Sequence, residues 1–97
     1  MSRKLEQVES AIARVVAEVL RDLKDPRLPL LTSVERVRVS PDLGRARVLV
    51  SSFGGDDAST LRALDAARGY IQAELGRSLK LRRLPLLSFH TAPGEVL

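Results

Sequence analysis

The stretch Val34–Val50 reads VERVRVSPDLGRARVLV, in which arginine alternates with valine or alanine on both sides of a short turn sequence. The turn carries the letters PDLG, where the proline presets a turn and the aspartate and glycine are typical turn residues. Neighbouring residues of a strand point to opposite faces of the sheet. The pattern therefore predicts an antiparallel hairpin with strands from Leu31 to Ser40 and from Arg45 to Phe53.

The hairpin concentrates positive charge on one of its faces. Val37 and Val39 are expected on the buried face, and the opposite face carries the four hairpin arginines, Arg36, Arg38, Arg45 and Arg47. A guanidinium group can grip a phosphate with two parallel hydrogen bonds, and it can also stack on a base. A GC-rich genome would produce the same preference for arginine over lysine, so both explanations stay open.

The first 23 residues predict an amphipathic helix. Apolar residues recur at steps of three or four from Leu5 to Leu23, which favours a helix of about 20 residues. We expect Ser2 to cap its start. Its end should precede Asp25-Pro26, because proline disfavours helical geometry in the residue before it.

A second helical region is expected from the Asp56-Asp57 pair, which offers an N-cap, to about Leu79. Gly69 lies in its interior, where glycine costs about 1 kcal/mol relative to alanine. We therefore predict a kink, or a break between two helices, at Ala67 and Gly69.

The segment from Leu84 to Thr91 predicts a third strand, with Pro85 at its start or edge. The resulting order predicts an α+β fold in which a three-stranded sheet carries the helices on one face. We expect residues 1–97 to form one domain. The other sheet face is left to solvent or to a partner.

Composition argues against most enzyme and membrane classes. The chain has no cysteine and a single histidine, His90, so no metal site or nucleophile and base pair can be assembled from these residue types. The carboxylate pairs Asp22/Asp25 and Asp56-Asp57 lie beside turn or helix-cap signals, which already explain why acidic residues occur there. Charges throughout the first 20 residues exclude a signal peptide or membrane span. We expect a soluble, cytoplasmic protein with no metal, no cofactor and no catalytic residues.

The basic residues indicate binding to a polyanion. Sixteen Lys and Arg against twelve Asp and Glu give a net charge of +4. Beyond the hairpin, the candidate RNA-binding residues lie around the expected helical break and in the segment that follows it: Arg68, Gly69, Arg77, Lys80, Arg82 and Arg83. Backbone amides at a helix start, flanked by arginines, would form an anion site. The alternative is that these basic residues are ordinary charges on the solvated face of a helix. Only 3% of residues are aromatic, so RNA recognition should depend on phosphate contacts and RNA shape more than on base stacking.

Several motifs together resemble the ribosome-binding factor A family. They occur in order over nearly the whole chain: Asp25-Pro26-Arg27-Leu28, Val39-Ser40-Pro41-Asp42-Leu43, Ala46-Arg47-Val48-Leu49-Val50, Ala67-Arg68-Gly69-Tyr70-Ile71, Leu81-Arg82, and Pro85 with Phe89.

The resemblance implies a KH-like type II domain of the order α-β-β-α-kink-α-β. In it, Ala67-Arg68-Gly69 stands where other KH domains carry Gly-x-x-Gly. It also implies a monomeric factor that binds the free small (30S) ribosomal subunit and its 16S rRNA, near the 5′ helix and the neck. Late subunit maturation, processing of the rRNA 5′ end and growth in the cold are the expected roles.

Some positions depart from the family pattern. The family has Pro-Glu-Leu before its last strand, where this chain reads Pro85-Leu86-Leu87, and an acidic position after that strand is Ala92. We expect the charged C-terminal extension that many members carry to be missing after Leu97. The alternative function is a protein-interaction module that docks on a ribosomal protein through its uncovered sheet face without touching RNA. A small RNA-processing enzyme is a third reading, without a plausible catalytic set.

Overall fold

The computed structural model of the protein describes residues 3–23, 25, 31–53 and 56–91. Its elements, in chain order, are α1 (Arg3–Asp22), β1 (Leu31–Val39), β2 (Arg45–Phe53), α2 (Asp57–Ser78) and β3 (Leu86–Thr91). The predicted order of elements is confirmed, with bounds that differ by two residues at most. The expected cap at Ser2 and the stop at Pro26 lie outside the described residues.

The three strands form one mixed sheet in the order β1-β2-β3. β1 and β2 pair antiparallel, which confirms the hairpin, whereas β2 and β3 pair in parallel. A parallel partner needs a crossover connection, and α2 supplies it. The carbonyl of Gly44 accepts a hydrogen bond from the N–H of Leu86 at 3.0 Å, so β3 begins beside the hairpin turn.

A bulge at Glu35 keeps the apolar side chains of both hairpin strands on the same face of the sheet. Val34 pairs with Val50 and Arg36 pairs with Leu49, which leaves Glu35 as the extra residue of β1. With strict alternation from Val37, Glu35 would point into the core. The bulge turns Val34 inward instead. The Glu35 carboxylate then accepts hydrogen bonds from the hydroxyls of Ser33 and Ser51.

Both helices pack on the same face of the sheet, as predicted. Their apolar stripes meet the inward side chains of the strands in one core built from Val, Leu, Ile and Ala with a single ring. The core comprises Ile12, Val15, Val16, Val19 and Leu20 of α1, Val37, Val39, Ala46, Val48 and Val50 of the hairpin, Leu64, Ile71 and Leu75 of α2, and Leu87 and Phe89 of β3.

Each helix also satisfies a backbone group at one edge of the sheet. A carboxylate oxygen of Glu9 on α1 accepts a hydrogen bond from the N–H of Val39 at 2.8 Å. At the other edge, the side chain of Gln72 on α2 bonds to the backbone of Pro85 and Leu87. Unpaired strand edges are templates for aggregation, and these contacts cover part of both.

The predicted helical break is wrong. α2 runs without interruption from Asp57 to Ser78 and passes through Gly69. Alanines before and after the glycine favour helix, and Ile71 and Leu75 anchor the second half of α2 in the core. Since no second helix starts at Gly69, the expected anion site of free backbone amides does not form there. The kink at Ala67 and Gly69 stays a prediction.

The N-cap of α2 is the one expected. Asp56 precedes the helix in an extended conformation, and its carboxylate accepts hydrogen bonds from the N–H and the hydroxyl of Ser59. The hydroxyl bond and then the backbone bond hold the pKa of Asp56 below its ordinary value. The aspartate therefore serves helix capping rather than chemistry.

Candidate nucleic-acid interface

The face of the sheet that the helices leave uncovered, here called the outer sheet face, carries the hairpin arginines. All four are exposed, because they alternate with buried Val37, Val39, Ala46 and Val48. The register of β3 adds its own outward side chains to this face. The outer sheet face includes Arg36, Arg38, Arg45, Arg47, Leu49, Leu86, Ser88 and His90.

Arg38 and Arg47 are direct cross-strand partners. Side chains in such positions have Cβ atoms about 5 Å apart, and like charges placed there destabilise a sheet. The pair therefore concentrates two exposed positive charges on the outer sheet face. A polyanion that lies across the hairpin would contact both guanidinium groups.

Arg36 and Arg45 lie on either side of that pair. Arg36 is opposite Leu49, and together with Glu6 and Glu9 of α1 it lines a shallow hollow at the edge of the sheet. The carboxylates of Glu6 and Glu9 therefore partly offset the positive charge of Arg36 at this edge of the sheet. Arg45 lies at the turn, where it shares a hollow of about 490 Å³ with Arg83. The positive surface thus extends from the middle of the hairpin towards the turn.

The turn itself is held by Ser40. Its hydroxyl donates to the carboxylate of Asp42 at 2.8 Å and accepts from the N–H groups of Gly44 and Arg45. The Ser40 hydroxyl, and next the N–H of Gly44, keep the pKa of Asp42 below its ordinary value of 3.8. The positive charge of Arg83 acts in the same direction. Leu43 takes a φ of 61° and packs against the core.

The candidate residues of α2 are exposed but lie elsewhere. Gly69 and Arg77 each stand two residues from a buried residue, Ile71 and Leu75 respectively. A step of two on a helix is a rotation of about 200°, so both lie on the side away from the sheet. Arg77 also donates to Glu74 at 2.9 Å. Arg68 precedes Gln72 by one turn and thus lies on the β3 side of α2.

The hairpin arginines and the candidate residues of α2 therefore do not form one continuous positive surface. The hairpin arginines extend from the outer sheet face, whereas α2 lies on the opposite side of the sheet and directs Gly69 and Arg77 away from it. The alternation of the strands and the packing of α2 on the other face cause this separation. Among the candidates beyond the hairpin, Arg83 is the one that lies beside a hairpin arginine.

Lys80 and Arg82 belong to a third location. With Lys4, they line a groove of about 590 Å³ whose other lining residues are apolar. Lys4 is not among the residues that the sequence indicates. It comes from the start of α1, far along the chain from Lys80, and no periodicity or motif connects the two. The tertiary structure alone reveals this groove.

The single histidine of the chain contacts a serine of the same strand. His90 is half-buried on β3, and its Nε2 lies 2.9 Å from the hydroxyl of Ser88. Within 3–23, 25, 31–53 and 56–91, no group of three or more His, Cys, Asp or Glu could hold a metal ion. No helix in the described part of the chain combines the length and apolarity required to cross a membrane.

Known proteins match the chain over most of its length. The family model described as Ribosome-binding factor A matches residues 4–92. The chain is similar to ribosome-binding factor A of Clostridioides difficile (strain 630), with 43% identity over 84 residues, 86% of this chain and 67% of the relative. It is similar to the factor of Alkalilimnicola ehrlichii, with 44% identity over 87 residues, 86% of this chain and 66% of the relative. The chain spans about two thirds of the length of both relatives.

Solved structures agree with the sequence comparison. The fold is similar to the crystal structure of ribosome-binding factor A from Thermus thermophilus, with a TM-score of 0.83, 38% identity and coverage of 90% of this chain and 94% of that one. A homology model of the Thermus thermophilus factor, fitted into a cryo-EM map of its 30S complex, has a TM-score of 0.75 and 39% identity, with coverage of 87% and 90%. These structures have a KH-like fold, which confirms the predicted class. The chain therefore belongs to the ribosome-binding factor A family.

Proposed function

We propose that this chain binds the free small ribosomal subunit and that the outer sheet face contacts its 16S rRNA. Family membership and the 30S complex of the Thermus thermophilus relative support the choice of target. In this proposal the chain acts as a single, monomeric, cytoplasmic domain without catalytic activity. It assists late maturation of the subunit and processing of the rRNA 5′ end near the neck.

The observation that carries the RNA contact is the direct opposition of Arg38 and Arg47 on an uncovered sheet face. Both guanidinium groups extend from exposed positions of the hairpin, so they are accessible to a ligand on this face. A phosphate backbone that lies across the hairpin would meet both groups and release its counterions. Arg45 and Arg83 extend the same contact to the turn.

The α2 residues form a second, separate contact in this proposal. Arg68 and Arg77 are exposed, and Gly69 has no heavy atom within 4 Å of the place where a Cβ would lie, its own helix backbone and chain neighbours aside. A backbone or sugar could therefore approach α2 closely at the glycine. The two contacts face different directions, so they would engage different parts of the rRNA.

Binding to purified 30S subunits and to naked 16S rRNA fragments, measured at several salt concentrations, tests the proposal. Arg38→Gln with Arg47→Gln should weaken binding to both targets and reduce the salt slope by about 2, since each phosphate contact contributes about 1. The charge-matched control is Arg14→Gln with Arg21→Gln, two exposed positions on α1.

Equal losses in the hairpin double variant and the α1 control would reject the outer sheet face as the RNA contact. Binding to 30S subunits that naked rRNA fragments cannot compete would instead favour docking on a ribosomal protein. Leu86 on the outer sheet face is 53% exposed and could contribute apolar contacts to such docking. Cleavage of precursor rRNA by the purified chain alone would contradict the absence of catalysis.

A further inference from the structure

The groove of about 590 Å³ lies where three separate segments of the chain meet. The start of α1, the hairpin turn and the connection between α2 and β3 all contribute to it. Its lining residues are Lys4, Leu5, Val8, Pro41, Leu43, Lys80, Leu81 and Arg82. Five of these are apolar and three are cations, so the groove combines an apolar floor with a positive rim.

The apolar part of the groove is accessible. Leu5, Val8, Leu43 and Leu81 are half-buried, and Pro41 is exposed. The first three pack against the core from one side and line the groove from the other. Covering apolar surface of this kind contributes about 25 cal/mol for each Å² removed from water. A concave apolar surface of this volume is in the range of known binding sites.

The rim of the groove is positive, and its cations have no acidic partner in the described part of the chain. Lys4, Lys80 and Arg82 are exposed, and none of them forms an ion pair within the described residues. Among the residues that the structure describes, no Asp or Glu lines the groove. The nearest acidic residue of the turn, Asp42, is engaged by Ser40, Gly44 and the charge of Arg83. The groove therefore complements an anionic ligand that also has apolar side chains.

We propose that this groove docks a short acidic segment of a protein partner, with apolar side chains against Leu5, Val8 and Leu81 and carboxylates against Lys4, Lys80 and Arg82. A nucleic-acid backbone would use the cations but would leave the apolar floor uncovered. No aromatic residue lines the groove, so a base would have no ring to stack on. The site is separate from the outer sheet face and goes beyond the rRNA contact.

Photo-crosslinking in bacterial cells tests this proposal. The crosslinker p-benzoylphenylalanine replaces Leu81 in the full chain, and in a second variant it replaces exposed Lys80, so that one poorly folded variant does not decide the result. Exposed Ala66 on α2 is the matched control position. Crosslinked peptides are mapped, and a synthetic copy of the mapped peptide is titrated against the purified chain.

The expected result is a crosslink, at the groove positions and not at Ala66, to a peptide that has both carboxylates and apolar residues. Its synthetic copy should bind the chain, and Lys4→Glu with Lys80→Glu should weaken that binding about tenfold or more, because like charges would then face each other. Arg14→Glu with Arg21→Glu should change it little. Lys4→Glu alone, which changes no candidate RNA-binding residue, should retain as much affinity for naked 16S rRNA as Arg14→Glu alone.

Four outcomes would overturn the proposal: crosslinks to RNA, crosslinks to a peptide without carboxylates, equal crosslinking at Ala66, or none at either groove position. Retained peptide binding in Lys4→Glu with Lys80→Glu would also overturn it. The rRNA assays of the outer sheet face are independent of all these outcomes, so either proposal can fail alone.

Discussion

The side chain of Gln72 accepts a hydrogen bond through Oε1 from the backbone N–H of Leu87 at 2.7 Å. Its Nε2 donates in turn to the carbonyl of Pro85 at 3.1 Å. One amide side chain thus satisfies two backbone groups on the outer edge of β3 and ties α2 to the start of that strand. Glutamine suits this role because its amide offers a donor and an acceptor side by side.

Replacing Gln72 with leucine should therefore destabilise the protein. Gln72→Leu keeps a similar size but leaves the two backbone groups without their partner, which costs about 1–3 kcal/mol. Urea unfolding would measure this loss. Gln7→Leu on the exposed side of α1 is the control and should change the free energy of unfolding by less than about 0.5 kcal/mol. Equal stability of the two variants would show that the Gln72 bonds contribute nothing.

Gly69→Ala should stabilise the protein by about 1 kcal/mol, because α2 is continuous and alanine is the better helix former. The added methyl group has open space around it. Thermal unfolding measures the effect. At Gly76 a Cβ would lie 3.4 Å from Cδ2 of Leu84. Gly76→Ala therefore serves as a comparison in which the added methyl group has less space. A loss of stability in Gly69→Ala would reveal a bend that requires glycine.

Arg38→Glu should raise stability and lower RNA affinity at the same time. A glutamate opposite Arg47 replaces a like-charge pair by an opposite-charge pair, worth about 0.5 kcal/mol. The same change places a carboxylate where rRNA phosphates are expected. Urea unfolding and binding to naked 16S rRNA measure the two effects. Arg36→Glu, opposite Leu49 and near Glu6 and Glu9, should weaken binding without any gain in stability.

Acid should weaken the hairpin turn through Asp42. Hydrogen bonds from Ser40 and Gly44 lower the pKa of Asp42 in the folded protein below its ordinary value of 3.8. A lowered pKa contributes stability above the unfolded value, and the contribution is lost as the pH falls through the folded value. Between about pH 5 and pH 2, the free energy of unfolding should therefore fall less steeply in Asp42→Asn than in the unchanged protein.

Ser40→Ala is the companion variant for the acid measurement. It removes the largest cause of the lowered Asp42 pKa and should flatten the same part of the stability curve. Its absolute stability should fall as well, because the Ser40 hydroxyl also accepts from the N–H groups of Gly44 and Arg45. An acid slope unchanged in both variants would contradict the assignment to Asp42.

Local patterns predicted the elements well because their physics is local. The stripe from Leu5 to Leu23 required a helix, and the alternation around Val37 and Val39 required a strand with outward arginines. The break at Gly69 failed as a prediction because the cost of one glycine is small. The core contacts of Ile71 and Leu75 outweigh it, and those contacts are long-range.

The candidate site was predicted only in part, because its arrangement also depends on long-range contacts. Alternation along the strands places Arg36, Arg38, Arg45 and Arg47 on one face of the sheet. It does not predict which face of the sheet α2 covers, or where the arginines of α2 then lie. The groove of Lys4, Lys80 and Arg82 joins segments that are distant along the chain. Its cations carry no signal of proximity in the sequence.

By itself, the sequence determined the order of helices and strands, the hairpin with its four arginines, the basic character and the family, since all of these depend on neighbouring residues or on motif spacing. The tertiary structure alone decided the parallel pairing of β3, the bulge that turns Val34 inward, the continuity of α2 and the division of the positive charge into separate surfaces. These features depend on how distant segments pack, and that packing is a balance of burial and hydrogen bonding over the whole core.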